Sequence, residues 1–112
     1  MATISFLGPY LLDMKSLIGP QCLPTGGAKT ITVGPFEPFD GTITATAHPG
    51  TEAPEGYGHN RTAVWAQETY LQKIPHVQGD LIFFEYVLWV TLTNVGEPTV
   101  RYVTLWVSLT KV

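Results

Sequence analysis

The sequence predicts an all-β chain, folded as a single antiparallel β-sandwich with a long C-terminal hairpin. Three observations carry this. Residues 81 to 112 form two runs rich in β-branched and aromatic residues, separated by Asn94-Val95-Gly96-Glu97-Pro98. Their period-2 alternation is the pattern of strand, turn and strand. Eight of the nine prolines and ten of the eleven glycines precede residue 81, so the first two thirds must be short strands joined by turns, with little room for long helices. Turn signals recur at short spacing with no internal repeat, giving about six to eight strands and the profile of a sandwich or small barrel.

At 112 residues the chain is expected to be one domain, spanning 1 to 112 and able to bury its own core. Thr3 to Leu7 reads as a first strand closed by Gly8-Pro9. Tyr10 to Leu17 reads as one helical turn or another strand, closed by Gly19-Pro20. After the turn Pro24-Thr25-Gly26-Gly27, the stretch Ala28 to Val33 alternates with Ile31 and Val33 inward, and ends at Gly34-Pro35.

The tandem Pro35-Phe36-Glu37-Pro38-Phe39-Asp40 has the three-residue period of polyproline II, but its better reading is a loop whose phenylalanines plug the end of the core. Gly41 to Ala47 is a strand with a small buried face of Ile43, Ala45 and Ala47. His48 to His59 is the longest loop, and loops of this length carry function or move. Asn60 to Gln72 has good helix formers, yet its threonines and aromatics favour a strand, with Ile74 to Asp80 as the turn into the hairpin.

Alternation assigns faces to the final third. Ile82, Phe84, Leu88, Val90 and Leu92 share the core with Val103, Leu105 and Val107. Phe83, Glu85, Trp89, Tyr102 and Trp106 fall on the reverse face. A four-residue turn from Gly96 to Thr99 would set Trp89 opposite Trp106 and Thr93 opposite Tyr102 as cross-strand pairs. The thirteen-residue run from Leu81 exceeds the usual strand of about five or six residues, so it is expected to bend or to extend beyond its sheet and pair with another chain. Val90-Thr91-Leu92-Thr93-Asn94-Val95-Gly96 followed by Val103-Thr104-Leu105-Trp106-Val107 resembles the terminal hairpin of bacterial immunoglobulin-like modules of adhesion type. That resemblance implies an immunoglobulin-like sandwich rather than a barrel, and nothing about activity.

Charged residues make up 13% of the chain, about half the usual share, so part of the apolar surface is expected to be covered by another copy or a partner, the alternative being a monomer whose polar surface is carried by Thr, Gln, Asn and Ser. The net charge of -3 comes without a basic run, which argues against nucleic acid as a partner. Cys22 is alone, excluding an intrachain disulfide. No signal peptide is visible, and the chain is expected to be cytoplasmic or exported as part of an assembly. The apolar run around Leu81 to Val90 is broken by Glu85 and too short for a membrane-spanning helix.

Three explanations compete for the aromatic strip Phe83, Glu85, Trp89, Tyr102 and Trp106: a subunit interface, burial within the monomer, or a platform for stacking a sugar ring. Glu85 among aromatics needs a partner such as Arg101, Lys111 or a ligand hydroxyl. The loop candidates are His48, Glu52, Glu55, Tyr57 and His59, but their spacing matches no ligand motif, and no metal or other cofactor is expected. Neither a Gly-x-Ser-x-Gly element nor a His near Cys22 supports nucleophilic catalysis, and nothing selects Glu68 and Glu85 as a glycosidase pair. The functional expectation is a non-catalytic structural or interaction module that self-associates through an aromatic sheet face. The alternative is a lectin-like module binding a glycan.

Overall fold

The computed structural model describes residues 3–50, 62–97 and 99–112. These form β1 (Thr3–Asp13), α1 (Met14–Leu17), β2 (Ala28–Phe36), β3 (Gly41–Pro49), β4 (Val64–Gln78), β5 (Leu81–Asn94) and β6 (Tyr102–Lys111). The regular structure of the described residues is therefore all-β apart from one helical turn. The strands make two antiparallel sheets, ordered β1-β6-β3 and β2-β5-β4, so that first pairs with last and second with next to last. Leu88, Val90 and Leu92 of β5 meet Val103, Leu105, Val107 and Leu109 of β6 in one buried cluster, which Val33 and Ala45 join. Each residue alternates with an outward, more exposed neighbour, as a half-buried strand requires.

The expected C-terminal hairpin does not form: β5 and β6 are the central strands of different sheets. Alternation decides which side chains point inward, and the pattern is the same whether two strands lie side by side or face each other across a core. What separates them is local. Asn94 is buried, its Nδ2 donating to the Leu23 carbonyl at 3.0 Å and its Oδ1 accepting from the Gly96 N–H at 2.9 Å. Val100 then bridges Leu23, each N–H donating to the other's carbonyl at 2.9 Å. The chain leaves one sheet at Asn94 and joins the other at Tyr102. The strand order also differs from that of an immunoglobulin domain, in which consecutive strands pair in both sheets. Here, of the paired strands, only β4 and β5 are consecutive.

Gly8-Pro9 and Gly34-Pro35 do not close strands. Both sit in bulges, and β1 and β2 continue past them. Gly8 (φ 107°) and Gly34 (φ 124°) occupy backbone open to glycine, and a Cβ at either would lie 2.9 Å from a carbonyl oxygen, that of Leu105 or Tyr86. Residues 64–78 are a strand, not a helix, and β4 runs through the stretch expected to be a turn, so that only Gly79-Asp80 connects it to β5. Pro75 is tolerated because β4 is an edge strand. Phe36 and Phe39 pack against the core with ring centroids 6.3 Å apart, as the loop reading of their tandem expects.

Ile82 and Phe84, expected in the core, are 64% and 40% exposed. Their parity is inward, but β2 last pairs with β5 at Phe36 opposite Tyr86, and from there to Leu81 only β4 accompanies β5. The overlong strand does extend beyond its sheet, as a two-stranded arm made with its own neighbour. The arm contributes to a long axis of 61 Å against 33 and 18 Å. The radius of gyration is 16.6 Å, where a compact domain of this size has about 13 Å.

Candidate interaction surface

Two neighbouring strands of opposite direction and a two-residue turn give the arm two faces. Leu81, Phe83 and Glu85 stand opposite Gln78, His76 and Ile74 on the outer face. Ile82, Phe84 and Tyr86 stand opposite Val77, Pro75 and Lys73 on the face that continues the core. Val77 is 73% exposed and Leu81 71%, and with Ile82, Phe83 and Phe84 they line both faces.

Of the charged groups of the arm, Lys73, His76 and Glu85 find partners within it. His76 Nε2 lies 2.7 Å from a Glu85 carboxylate oxygen, and its ring stacks on Phe83 with centroids 5.1 Å apart. Lys73 Nζ sits 4.3 Å above the Phe84 ring. Glu85 thus takes His76 as its partner, not the expected Arg101 or Lys111. Arg101 pairs with Asp13, and Lys111 Nζ lies 5.6 Å from the Phe39 ring.

The aromatic strip expected on one face is divided between two. Trp89 lies opposite Thr32 and Tyr70, and Trp106 lies opposite Thr46 in the other sheet. Tyr70 stacks on Trp89 at 5.3 Å between centroids, and Trp89 Nε1 donates to Gln72 Oε1 at 3.0 Å. Trp106 meets Phe6 edge-on at 6.2 Å. Tyr102 lies opposite Asp13 beneath the Arg101 guanidinium, 4.7 Å from its ring centroid, and Thr93 lies opposite Ala28 and Trp65. Of the five residues, the structure brings Phe83, Glu85 and Trp89 to one outer face and Tyr102 and Trp106 to the opposite one. His48 is exposed at the end of β3 opposite Thr104, while Glu52, Glu55, Tyr57 and His59 lie outside the described residues.

An apolar cavity of about 310 Å³ opens at the base of the arm, lined by Phe39, Ile43, Glu68, Leu71, Tyr86 and Leu88 among others. The carboxylate there is engaged: Glu68 Oε1 accepts from the Ala45 N–H of β3. Among the described residues no three His, Cys, Asp or Glu side chains gather as a metal site would require, and no helix is long and apolar enough to cross a membrane.

At the far end of the molecule, Asp13 accepts from Arg101 Nε and Nη2 at 3.2 and 3.3 Å and from the Lys15 N–H at 3.0 Å, capping α1. The Arg101 hydrogen bond holds the Asp13 carboxyl below its ordinary pKa against the opposing effect of burial, helped by the Lys15 hydrogen bond and by both positive charges.

Sequence reasoning missed Val77, Leu81, His76 and Tyr70 as surface participants and gave Ile82 and Phe84 to the core. The signal was present in the strand length, since a strand longer than its sheet must expose its end. No protein-family model, curated protein or solved structure matches this chain.

Proposed function

We propose that the chain is a non-catalytic structural module, a six-stranded β-sandwich, that self-associates through the β4–β5 arm. The observation that carries this is the exposure of Val77, Leu81, Ile82, Phe83 and Phe84 on a two-stranded extension in which Glu85 pairs with His76 and Lys73 lies over Phe84. Together these side chains present about 500 Å² of apolar surface, divided between the two faces of the arm. Covering it at about 25 cal/mol per Å² is worth on the order of 10 kcal/mol per copy, comparable to the cost of association. An isolated two-stranded ribbon is marginal in water, so contact with another layer also stabilises the arm itself.

The reading keeps Phe83 and Glu85 from the expected aromatic strip and moves the centre of the contact from the tryptophans to the arm. Replacing Leu81, Ile82, Phe83 and Phe84 together by threonine tests it, because threonine preserves strand propensity while removing apolar area. The mass measured by light scattering should fall to that of one chain, with circular dichroism unchanged. An unchanged mass would reject the arm as the contact.

Glycan binding is favoured by one other observation. Trp65 and Tyr70 are 55% and 51% exposed on the outer face of β4, beside a hydroxyl ladder in which Thr91 Oγ1 lies 2.9 Å from Thr30 and 3.0 Å from Thr69. Quenching or shift of tryptophan emission by a soluble polysaccharide, lost in Trp65→Ala, would support that reading. Emission indifferent to a glycan panel would reject it.

A further inference from the structure

We propose that the core-side face of the arm receives the arm of a second copy, packed face to face and antiparallel, so that Ile82 of each copy enters the cavity at the base of the other's arm. The proposal rests on the self-association reading and specifies its partner and geometry.

Four features of the structure point to this arrangement. The first is the missing layer. Tyr86, Phe84 and Ile82 continue the inward parity of Leu88, Val90 and Leu92, yet Ile82 and Phe84 are open to solvent. A sheet face of core character requires a second layer about 10 Å away, and a second arm supplies one of the same width and length.

The second is length. From Leu88 at the cavity to Ile82 near the tip is about 20 Å of strand. A two-fold axis through the middle of this span, near Glu85, lays the tip of one arm over the base of the other. Phe84 of each copy then falls beside Tyr86 of its partner, in the edge or offset contact that aromatic rings favour.

The third is the cavity. Its volume of about 310 Å³ and its apolar lining of Phe39, Ile43, Leu71 and Leu88 suit aliphatic side chains. A cavity of about 150 Å³ holds a benzene molecule, so there is room for Ile82 with its cross-strand neighbour Val77. Glu68 does not spoil the fit, because its carboxylate is already bound to the Ala45 N–H.

The fourth is charge. The turn at the tip carries Asp80, while beside the cavity Lys111 pairs with Gly41 and lies over Phe39. Antiparallel packing brings this acid toward that base twice per dimer, while within each chain Glu85 pairs with His76 and Lys73 lies over Phe84. Only the core-side half of the arm's exposed apolar surface enters the contact, which is therefore at the small end for a specific interface and implies a weak, transient dimer.

The test compares the two arm faces in the full chain by sedimentation equilibrium. Ile82 and Phe83 are both exposed, so Lys at either position should leave the fold intact, as circular dichroism will verify. Ile82→Lys should raise the dimer dissociation constant by about 30-fold or more, as loss of a central anchor does. Phe83→Lys, on the opposite face, should change it by less than about 3-fold. Asp80→Lys should weaken the dimer, and adding Lys111→Asp should restore it. If Phe83→Lys is as damaging as Ile82→Lys, or Ile82→Lys is harmless, the face-to-face geometry is overturned while self-association stands. A wild-type chain that stays monomeric at every concentration overturns both.

Discussion

Glu68 of β4 accepts a hydrogen bond from the main-chain N–H of Ala45 in β3, so a side chain of one sheet occupies the edge of the other. β3 is an edge strand, and an unpaired edge is a template for unwanted pairing. Glu68→Ala leaves the Ala45 N–H without its partner. It should cost about 1–3 kcal/mol in urea denaturation and increase aggregation, while Glu68→Gln, which keeps an acceptor, should retain most of the stability.

Asn94 is the corresponding residue at the crossing between sheets. It is 1% exposed and bound on both sides of its amide, to Leu23 and to Gly96. Asn94→Leu fills similar volume but removes both side-chain hydrogen bonds, leaving the Leu23 carbonyl with the Val100 N–H and the Gly96 N–H with the Ala63 carbonyl. A loss of about 1–3 kcal/mol is expected from the denaturation midpoint.

The two Gly-Pro bulges make a matched pair of predictions. A methyl group at Gly8 or Gly34 meets a carbonyl oxygen at 2.9 Å on backbone that L residues rarely adopt. Gly8→Ala and Gly34→Ala should each destabilise by more than about 1 kcal/mol, whereas Gly19→Ala, which also has positive φ but meets nothing within 4 Å, should cost less. Thermal unfolding of the three variants checks the order.

Acid should weaken the molecule through Asp13. Its carboxyl pKa is lowered in the folded state, chiefly by the Arg101 hydrogen bond. A depressed carboxylate contributes stability above its unfolded pKa and loses it as the pH falls through the folded one. Because the pair is about one third exposed, with side chains 37% and 30% accessible, the effect is small. Asp13→Asn should lower stability slightly at neutral pH and flatten its decline as the pH falls below about 4, so that variant and wild type converge in acid.

Much of the fold was legible in the sequence because strand alternation is local. The inward set of Leu88, Val90, Leu92, Val103, Leu105 and Val107 follows from period 2 alone, and all six are buried. Pairing was not legible, because Trp89 and Trp106 point outward in either arrangement, and only the long-range contacts of Asn94 and Val100 with Leu23 place them in different sheets. Ile82 and Phe84 obey the same alternation as Leu88. Their exposure depends on where neighbouring strands stop, which no pattern within residues 81 to 94 records. Glu85 found His76 because the hairpin register sets Phe83 opposite His76 and Glu85 opposite Ile74, next along the same face.

Self-association through the arm is tested most directly by the mass of the wild-type chain across a concentration series from about 1 μM to about 1 mM, a range that brackets interfaces of this size. The account predicts a reversible rise from the chain mass of 12.3 kDa toward twice that value, together with slower hydrogen exchange in residues 73 to 86 as the mass increases. A mass fixed at 12.3 kDa throughout, or a rise that leaves exchange in the arm unchanged, would contradict it.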